Sequence, residues 1–261
     1  MRIVRIDTGD GAAACGIVEG DSIRLASGDP LRGLQPTGER RPLAGAKLLA
    51  PIVPVNILAI GRNYRAHAEE QGADLPKAPM AFMKATSSVI GPDAPVRLPA
   101  PAPAEVDYEA ELAVVIGRTA RRVPAGEALR HVLGYTCAND VSARDCQLAD
   151  GQWVRAKSFD TFCPLGPWIE TDLDPRDLAI RCRVGGQTMQ DARTSQMIFG
   201  IPFLIAYLSA GMTLLPGTVL LTGTPSGVGS ARRPPRFLQP GDTVEVEIEG
   251  LGTLRNPVAA E

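Results

Sequence analysis

The chain has 261 residues, with 27 basic and 29 acidic side chains and a net charge of −2 at pH 7. That length buries a sizeable core in one domain, with room for a small appendage. A pI of about 5.8 and the lack of any Lys/Arg run exclude a nucleic-acid footprint. No apolar stretch reaches the roughly 20 residues that span a bilayer, so no membrane partner is expected. Met1-Arg-Ile-Val-Arg-Ile6 lacks the apolar core and cleavage site of a secretory leader, which makes a cytoplasmic protein the expectation.

In chain order, Ile3–Ile6, 16–18 and 22–25 read as short strands, with a turn signal at Asp7-Thr-Gly-Asp-Gly11. Residues 1–50 form a small β-rich unit that ends in a linker-like stretch, Gln35-Pro-Thr-Gly-Glu-Arg-Arg-Pro42. The larger unit, 51–261, opens on the buried strand Ile57-Leu-Ala-Ile60. Asn63 then caps a short helix through Glu70 that Gly72 ends. The proline-rich stretch 91–103 reads as an extended loop. Pro202 to Gly211 reads as a helix, with proline in its first turn and glycine after its last. The β-rich pattern with few helices favours a mixed β-sandwich or roll over a doubly wound α/β fold. Five cysteines without C-x-x-C spacing fit neither a disulfide framework nor a zinc site.

The most informative segment is Val106-Asp-Tyr-Glu-Ala-Glu-Leu-Ala-Val-Val-Ile-Gly117. A strand has a side-chain period of two, so Glu109 and Glu111 point the same way, at the mouth of the buried run 112–116. Two carboxylates that close repel unless a cation or a proton offsets them. If Asp140 in Cys137-Ala-Asn-Asp-Val-Ser-Ala-Arg-Asp145 joins them, the set suits a hard divalent cation. The plain alternative is a solvated strand face, and Val244-Glu-Val-Glu-Ile-Glu249 supplies an internal control in which the glutamates are expected to face water. Spacing alone does not separate the two.

Several motifs add context. Gly61-Arg-Asn-Tyr64 with His67 and Glu70, Asp107-Tyr-Glu-Ala-Glu111, Gly134 to Asp145, Lys157-Ser-Phe-Asp-Thr-Phe-Cys-Pro-Leu-Gly-Pro167, Thr222-Gly-Thr-Pro-Ser-Gly-Val-Gly229 and Gly250-Leu-Gly-Thr-Leu-Arg-Asn256 occur in this order. Together they resemble the fumarylacetoacetate hydrolase superfamily from about residue 55 to the C-terminus. Residues 1–50 resemble the small accessory domain of its bacterial members. The resemblance implies a β-rich α+β fold, a mixed β-sandwich roll carrying a small N-terminal β domain. It implies that Glu109, Glu111 and Asp140 bind one Mg²⁺ or Mn²⁺. It makes His67 and Glu70 a catalytic dyad on one helical face and Lys157 a group that stabilises developing negative charge. Gln147 and Thr224 resemble positions that meet substrate; Arg62 could meet a substrate carboxylate through bidentate hydrogen bonds or serve as a structural salt-bridge partner, and Tyr64 is a further substrate-binding candidate.

The implied activity is hydrolysis of a C–C bond in a 2,4-dioxo acid through a metal-stabilised enolate. The same enolate serves an oxaloacetate-type decarboxylase or a 2-hydroxy-dienoate isomerase. The family's usual state implies a homodimer or larger homo-oligomer, with the apolar helix at 202–210 as a candidate interface. Two departures stand out: Arg193-Thr-Ser-Gln-Met-Ile198 replaces an expected Asn-Thr-Ser-Asp-Met-Ile, and Phe203 stands where glutamate is frequent. They put substrate preference and local helix packing in doubt. The loop 223–229 lacks the Lys-Ser/Thr of a phosphate loop, and no G-x-S-x-G elbow is present.

Overall fold

A computed structural model describes residues 1–9 and 11–261. Its backbone is one long sheet with a second sheet packed on its middle and a two-stranded ladder of Val106–Asp107 with Ser142–Ala143. The long, 12-stranded sheet runs in the order Gly33–Pro42, Ser22–Asp29, Ala13–Glu19, Arg2–Asp7, Cys163–Glu170, Val132–Asn139, Ala110–Ile116, Thr218–Leu221, Asn56–Gly61 and Met80–Lys84. Two short strands, Leu48–Leu49 and Val89–Ile90, pair with Arg2–Asp7 and Cys163–Glu170 outside this path. The second sheet has five strands, Gln187–Arg193, Ala179–Val184, Thr243–Ile248, Gly252–Ala260 and Val96–Leu98. The result is a strand-rich mixed-sheet roll with few helices, as the residue pattern implies.

The strand Ala110–Ile116 lies at the centre and is buried along its whole length. Leu112, Val114 and Ile116 pack with Ile180, Cys182, Val246 and Ile248 of the second sheet. Ala113 and Val115 point to the opposite face, beside Ile57, Ala59, Val219 and Leu221 of the neighbouring strands. Burial on both faces is why the sequence there is an uninterrupted apolar run rather than an alternation. Val244, Val246 and Ile248 do alternate with half-buried Glu245 and Glu247, since Thr243–Ile248 turns only one face to the core.

Several local readings are corrected. Gln35–Pro42 is no linker: it belongs to the strand Gly33–Pro42, which pairs with Ser22–Asp29 and overrides the turn-rich composition. The first strand pairs with Cys163–Glu170, Arg2 opposite Glu170 and Ile3 opposite Ile169, so the N-terminal strands continue the large sheet. Within the turn expected at 7–11, Gly9 N–H donates to Asp7 Oδ1 at 2.8 Å, while Asp10 lies outside the described residues. The extended loop 91–103 contains the strand Val96–Leu98, parallel to Gly252–Ala260. The helix expected from Pro202 runs Ile201–Gly211.

Candidate active site

Topology gathers the site at one end of the sheet. Asn56–Gly61 and Thr218–Leu221 run parallel, so both deliver the chain at that end. The first continues into Arg62 and the helix Arg65–Glu70, the second into Gly223 and Thr224. Ala110–Ile116 is antiparallel to both Thr218–Leu221 and Val132–Asn139, and Ala110 pairs with Asn139. Glu109 and Asp140 therefore face each other across the ladder. Asp140 N–H donates to the Glu109 carbonyl and Glu109 N–H to Asn139 Oδ1, both at 2.9 Å.

One carboxylate oxygen from each of Glu109, Glu111 and Asp140 falls within 4.8 Å of the others, and all three residues are buried. Lys157, on the short helix Val154–Lys157, donates to Glu109 Oε2 at 2.8 Å and to Asp140 Oδ2 at 2.7 Å. Arg144 lies 2.7 Å from Glu109 Oε1 and 2.8 Å from Asp107 Oδ2. Burial pushes the Glu109 carboxyl up, but the Lys157 and Arg144 charges prevail and hold it at about 2. Glu111 differs. Among the described residues no lysine or arginine pairs with it, and only Gly223 N–H, at 2.6 Å, supports its Oε2. Burial, then the Asp140 and Glu109 charges, push its carboxyl well above the usual range. A buried carboxylate with two anionic neighbours and no cation of its own is what an oxygen-ligated divalent ion would satisfy, so the donor set fits Mg²⁺ or Mn²⁺. Gly223 can turn its N–H inward because its φ is +99°, and a Cβ there would meet Asn63 at 2.6 Å.

A cavity of about 480 Å³ opens over Glu109 and Glu111. It is lined by Glu109, Glu111 and Lys157 at its base and by His67, Glu70 and Gln71 on one wall. His67 Nδ1 lies 2.7 Å from Glu70 Oε1, and Gly227 N–H holds Glu70 Oε2 at 2.7 Å. The dyad is thus anchored to the glycine-rich loop as well as to its own helix.

The four residues expected to meet substrate fall in different places. Arg62, Gln147 and Thr224 line the cavity. Gln147 accepts from Arg144 at 2.9 Å. The Thr224 hydroxyl donates to the Ala110 carbonyl at 2.9 Å and accepts from Gln190 at 2.7 Å. Tyr64 does not line the cavity; its ring is buried and its hydroxyl has no hydrogen-bond partner among the described residues. Burial, then the Glu111 charge, push that phenol far above its usual range. Asn63 is no helix cap either. It ties two loops, donating to the Phe199 and Thr222 carbonyls at 3.0 and 2.7 Å, while Tyr64 occupies the cap position.

Two partners escaped sequence reasoning. Lys84 is fully buried and donates to Asp140 Oδ1 at 2.5 Å and to the Val141 carbonyl at 3.2 Å. Its register opposite Ile57, with Phe82 opposite Ala59, puts it on the sheet face of Ala113 and Val115. A lysine closing the apolar strand Met80–Lys84 was the available signal. Gln190 donates to Thr224 and accepts from Ala110 N–H at 2.9 Å, fixing the strand that carries Glu109 and Glu111. His131 meets the Thr119 carbonyl at 2.9 Å and takes no part in the cavity. Arg193 pairs with Asp177 at 2.6 Å, and Phe203 stacks between Phe199 and Tyr207, so neither departure touches the cavity wall.

Residues 56–259 match the model of the fumarylacetoacetate (FAA) hydrolase C-terminal family, and residues 1–51 match an Rv2993c-like N-terminal family. The chain is 48% identical to Protein Rv2993c of Mycobacterium tuberculosis, over 99% of this chain and 98% of that one. It is 51% identical to the mitochondrial oxaloacetate tautomerase fahd2 of Xenopus laevis, over 81% of this chain and 68% of the relative. The 5-carboxymethyl-2-hydroxymuconate delta-isomerase of Mycobacterium smegmatis superposes with a TM-score of 0.91 at 48% identity, over 100% of both chains.

Proposed function

Because the chain belongs to the fumarylacetoacetate hydrolase family, we propose that it is a divalent-metal-dependent enzyme that moves a proton in a 2-oxo acid through its enolate. Residues 51–261 carry the chemistry in this reading, with 1–50 as an accessory unit. The observation that supports it is a single cavity lined at once by the Glu109 and Glu111 carboxylates, Lys157 and the His67–Glu70 dyad. A cation held by Glu109, Glu111 and Asp140 would supply Lewis-acid stabilisation of the enolate oxygen.

The protein's own groups do the rest. His67, with Glu70 on Nδ1, presents Nε2 as the base that removes a proton from C3. The electron pair left on C3 becomes the C2=C3 bond as the C2 carbonyl takes the charge. Lys157 has three N–H donors and uses two on Glu109 and Asp140, leaving the third for that oxygen. Returning the proton to O2 yields an enol, and returning it further along a conjugated chain yields a shifted double bond. These outcomes correspond to the tautomerase and isomerase activities in the relatives' names.

A second reading, hydrolysis of a 2,4-dioxo acid, is favoured by the same dyad, since His67 backed by Glu70 can equally activate a water against a C4 carbonyl. Decarboxylation of oxaloacetate is the weakest of the three, because it needs no base and leaves the dyad without a task. In each case a homodimer or larger assembly is part of the proposal, with Phe203 and Tyr207, 47% and 44% exposed, as its apolar contact.

The test is turnover of oxaloacetate (enol–keto conversion and CO₂ release followed separately), a 2-hydroxy-dienedioate and an acylpyruvate, with EDTA and with Mg²⁺ or Mn²⁺ restored. Proton relocation should vanish in EDTA, return with metal, and fall about 10²–10⁴-fold in His67→Ala. Cleavage of the acylpyruvate alone would establish the hydrolase, and CO₂ release that survives His67→Ala the decarboxylase.

A further inference from the structure

One wall of the cavity is aromatic, and the proposed chemistry gives it no task. Phe82 and Trp153 both line the space that holds Glu109, Glu111 and Lys157. Their rings meet edge to face, with centroids 5.2 Å apart and planes at 72°. The Lys157 ammonium stands 5.2 Å from the Phe82 centroid, so the wall begins beside the group that serves the reacting oxygen. Trp153 is the next ring along. It caps the short helix Val154–Lys157, and Lys157 N–H donates to the Trp153 carbonyl at 3.0 Å. Residues four apart on a helix share a face, so one turn of backbone brings the ammonium and the indole to the same cavity.

Gly61 makes room for the indole. Its φ lies outside the left-handed region, so backbone conformation does not demand glycine there. A Cβ would meet Trp153 Cζ3 at 2.7 Å and Cη2 at 3.1 Å. Any larger residue would push the ring off the end of the strand Asn56–Gly61. Trp153 is still only half-buried, and Leu148, 83% exposed, carries the apolar surface on to the rim of the same cavity.

At about 480 Å³ the cavity falls in the range of roughly 300–1,000 Å³ that takes a drug-sized ligand, well beyond the volume of a four-carbon acid such as oxaloacetate. The carboxylate and 2-oxo group belong at the acidic base beside Lys157, which leaves the chain beyond C3 to fill the rest. Moving an apolar or unsaturated chain out of water and onto two rings is favourable; a charged end gains nothing there. We propose that Trp153 is a specificity-determining residue: with Phe82 it forms the wall on which the chain beyond C3 packs, selecting an extended apolar or unsaturated chain over the short polar end of oxaloacetate. The inference rests on the reading of the cavity as a 2-oxo acid site and adds which 2-oxo acids it prefers. Arg62 and Arg233 also line the cavity, and a chain ending in a carboxylate would turn to them instead.

The experiment compares three ligands that share the 2-oxo acid head and lack a 4-oxo group: 2-oxobutanoate, 2-oxo-4-phenylbutanoate and 2-oxoadipate. Each is titrated by calorimetry into Mg²⁺-loaded full-length wild type and Trp153→Ala. The expected result is that wild type binds the phenyl compound at least about tenfold more tightly than 2-oxobutanoate. In Trp153→Ala that preference should collapse, with 2-oxobutanoate affinity little changed. The chain has only two tryptophans, and Trp168 lies away from the cavity, under Arg2 at 4.8 Å. Trp168→Phe therefore leaves Trp153 in place as the sole indole reporter, so the test stands even where Trp153→Ala fails to fold. Its emission should shift with the phenyl compound and stay nearly constant with 2-oxobutanoate. A phenyl preference retained in Trp153→Ala would overturn the proposal, as would an emission unmoved by the bound phenyl compound. Tighter binding of 2-oxoadipate than of the phenyl compound in wild type would also overturn it, giving the distal end to Arg62 or Arg233. Equal binding of all three removes this inference alone; binding of none with Mg²⁺ present removes the 2-oxo acid reading and this inference with it.

Discussion

The protein carries the same local pattern twice and uses it for opposite purposes. Glu109 and Glu111 alternate into the strand Ala110–Ile116, and Glu245 and Glu247 alternate along Thr243–Ile248. In the second strand the glutamates lie on the outward face, where Arg183 meets Glu247 at 2.7 Å and Arg255 approaches Glu245 at 3.8 Å. Water screens these pairs, and they ask nothing of the fold. In the first strand both faces are covered, so the carboxylates enter a medium that penalises charge. The fold answers with three buried cations, Lys84, Lys157 and Arg144, around Glu109, Asp140 and Asp107, and leaves Glu111 without one. Position within the sheet turns one spelling into a surface or into a binding site.

The comparison breaks most visibly at Glu111. Glu111→Gln or Glu109→Gln should remove metal binding measured by calorimetry and cut metal-dependent turnover at least about 100-fold. Their stabilities should then diverge. The raised Glu111 carboxyl favours its neutral form in the folded chain, so its contribution is fully present below the unfolded value near 4.5 and is lost as pH rises through the folded value. At pH 7 the metal-free wild type carries that penalty. In EDTA, Glu111→Gln should therefore melt higher than wild type, by about 2–4 °C for each kcal/mol relieved, and should gain nothing from Mg²⁺. Glu109 has the opposite sign. Its carboxyl is held at about 2, so its stabilisation is present above about 4.5 and lost as pH falls toward 2. Glu109→Gln should flatten that acid limb; a Glu111 variant that melts lower than wild type in EDTA would mean the carboxylate is already satisfied without a cation.

Lys84 sharpens the contrast at the next level. Removing one partner of a buried pair leaves an uncompensated charge and costs about 3–5 kcal/mol, so Lys84→Met should lower the urea midpoint accordingly in EDTA. A cation bound at the cluster offsets part of that loss, because it binds only the folded state. Saturating Mg²⁺ should therefore return more stability to Lys84→Met than to wild type. An equal gain in both would place the ion elsewhere.

How much of this was legible follows the range of the interactions. The run Leu112–Ile116 announces a buried strand because burial is written in consecutive residues. His67 and Glu70 are legible as a pair because i, i+3 spacing on a helix is local. Lys84 is not, since its role comes from a register opposite Ile57 that no window of sequence contains. Gln35–Pro42 misleads in the other direction: its Pro, Gly and charges describe a linker, and only the ladder with Ser22–Asp29 makes it a strand. Tyr64 sits within the motif Gly61-Arg-Asn-Tyr64, yet side chains two residues apart diverge, and Arg62 faces the cavity while Tyr64 packs inside. Motifs locate a neighbourhood; register and burial decide which atoms face the ligand.

The smallest effect belongs to the outward pair, and it is the control on all the others. Glu247 lies 2.7 Å from Arg183, as close as the Arg144–Glu109 and Lys157–Asp140 pairs of the buried cluster, with side chains 37% and 30% exposed. If distance governed the energy, Glu247→Gln would cost as much as Lys84→Met. With solvent on both partners the expected cost is below about 1 kcal/mol, shrinking further at high salt, and metal affinity and turnover should stay at wild-type values. Urea titrations in low and high NaCl test this directly. A loss of several kcal/mol, insensitive to salt, would show that Thr243–Ile248 is as dry as Ala110–Ile116 and that the two strands are not opposites after all.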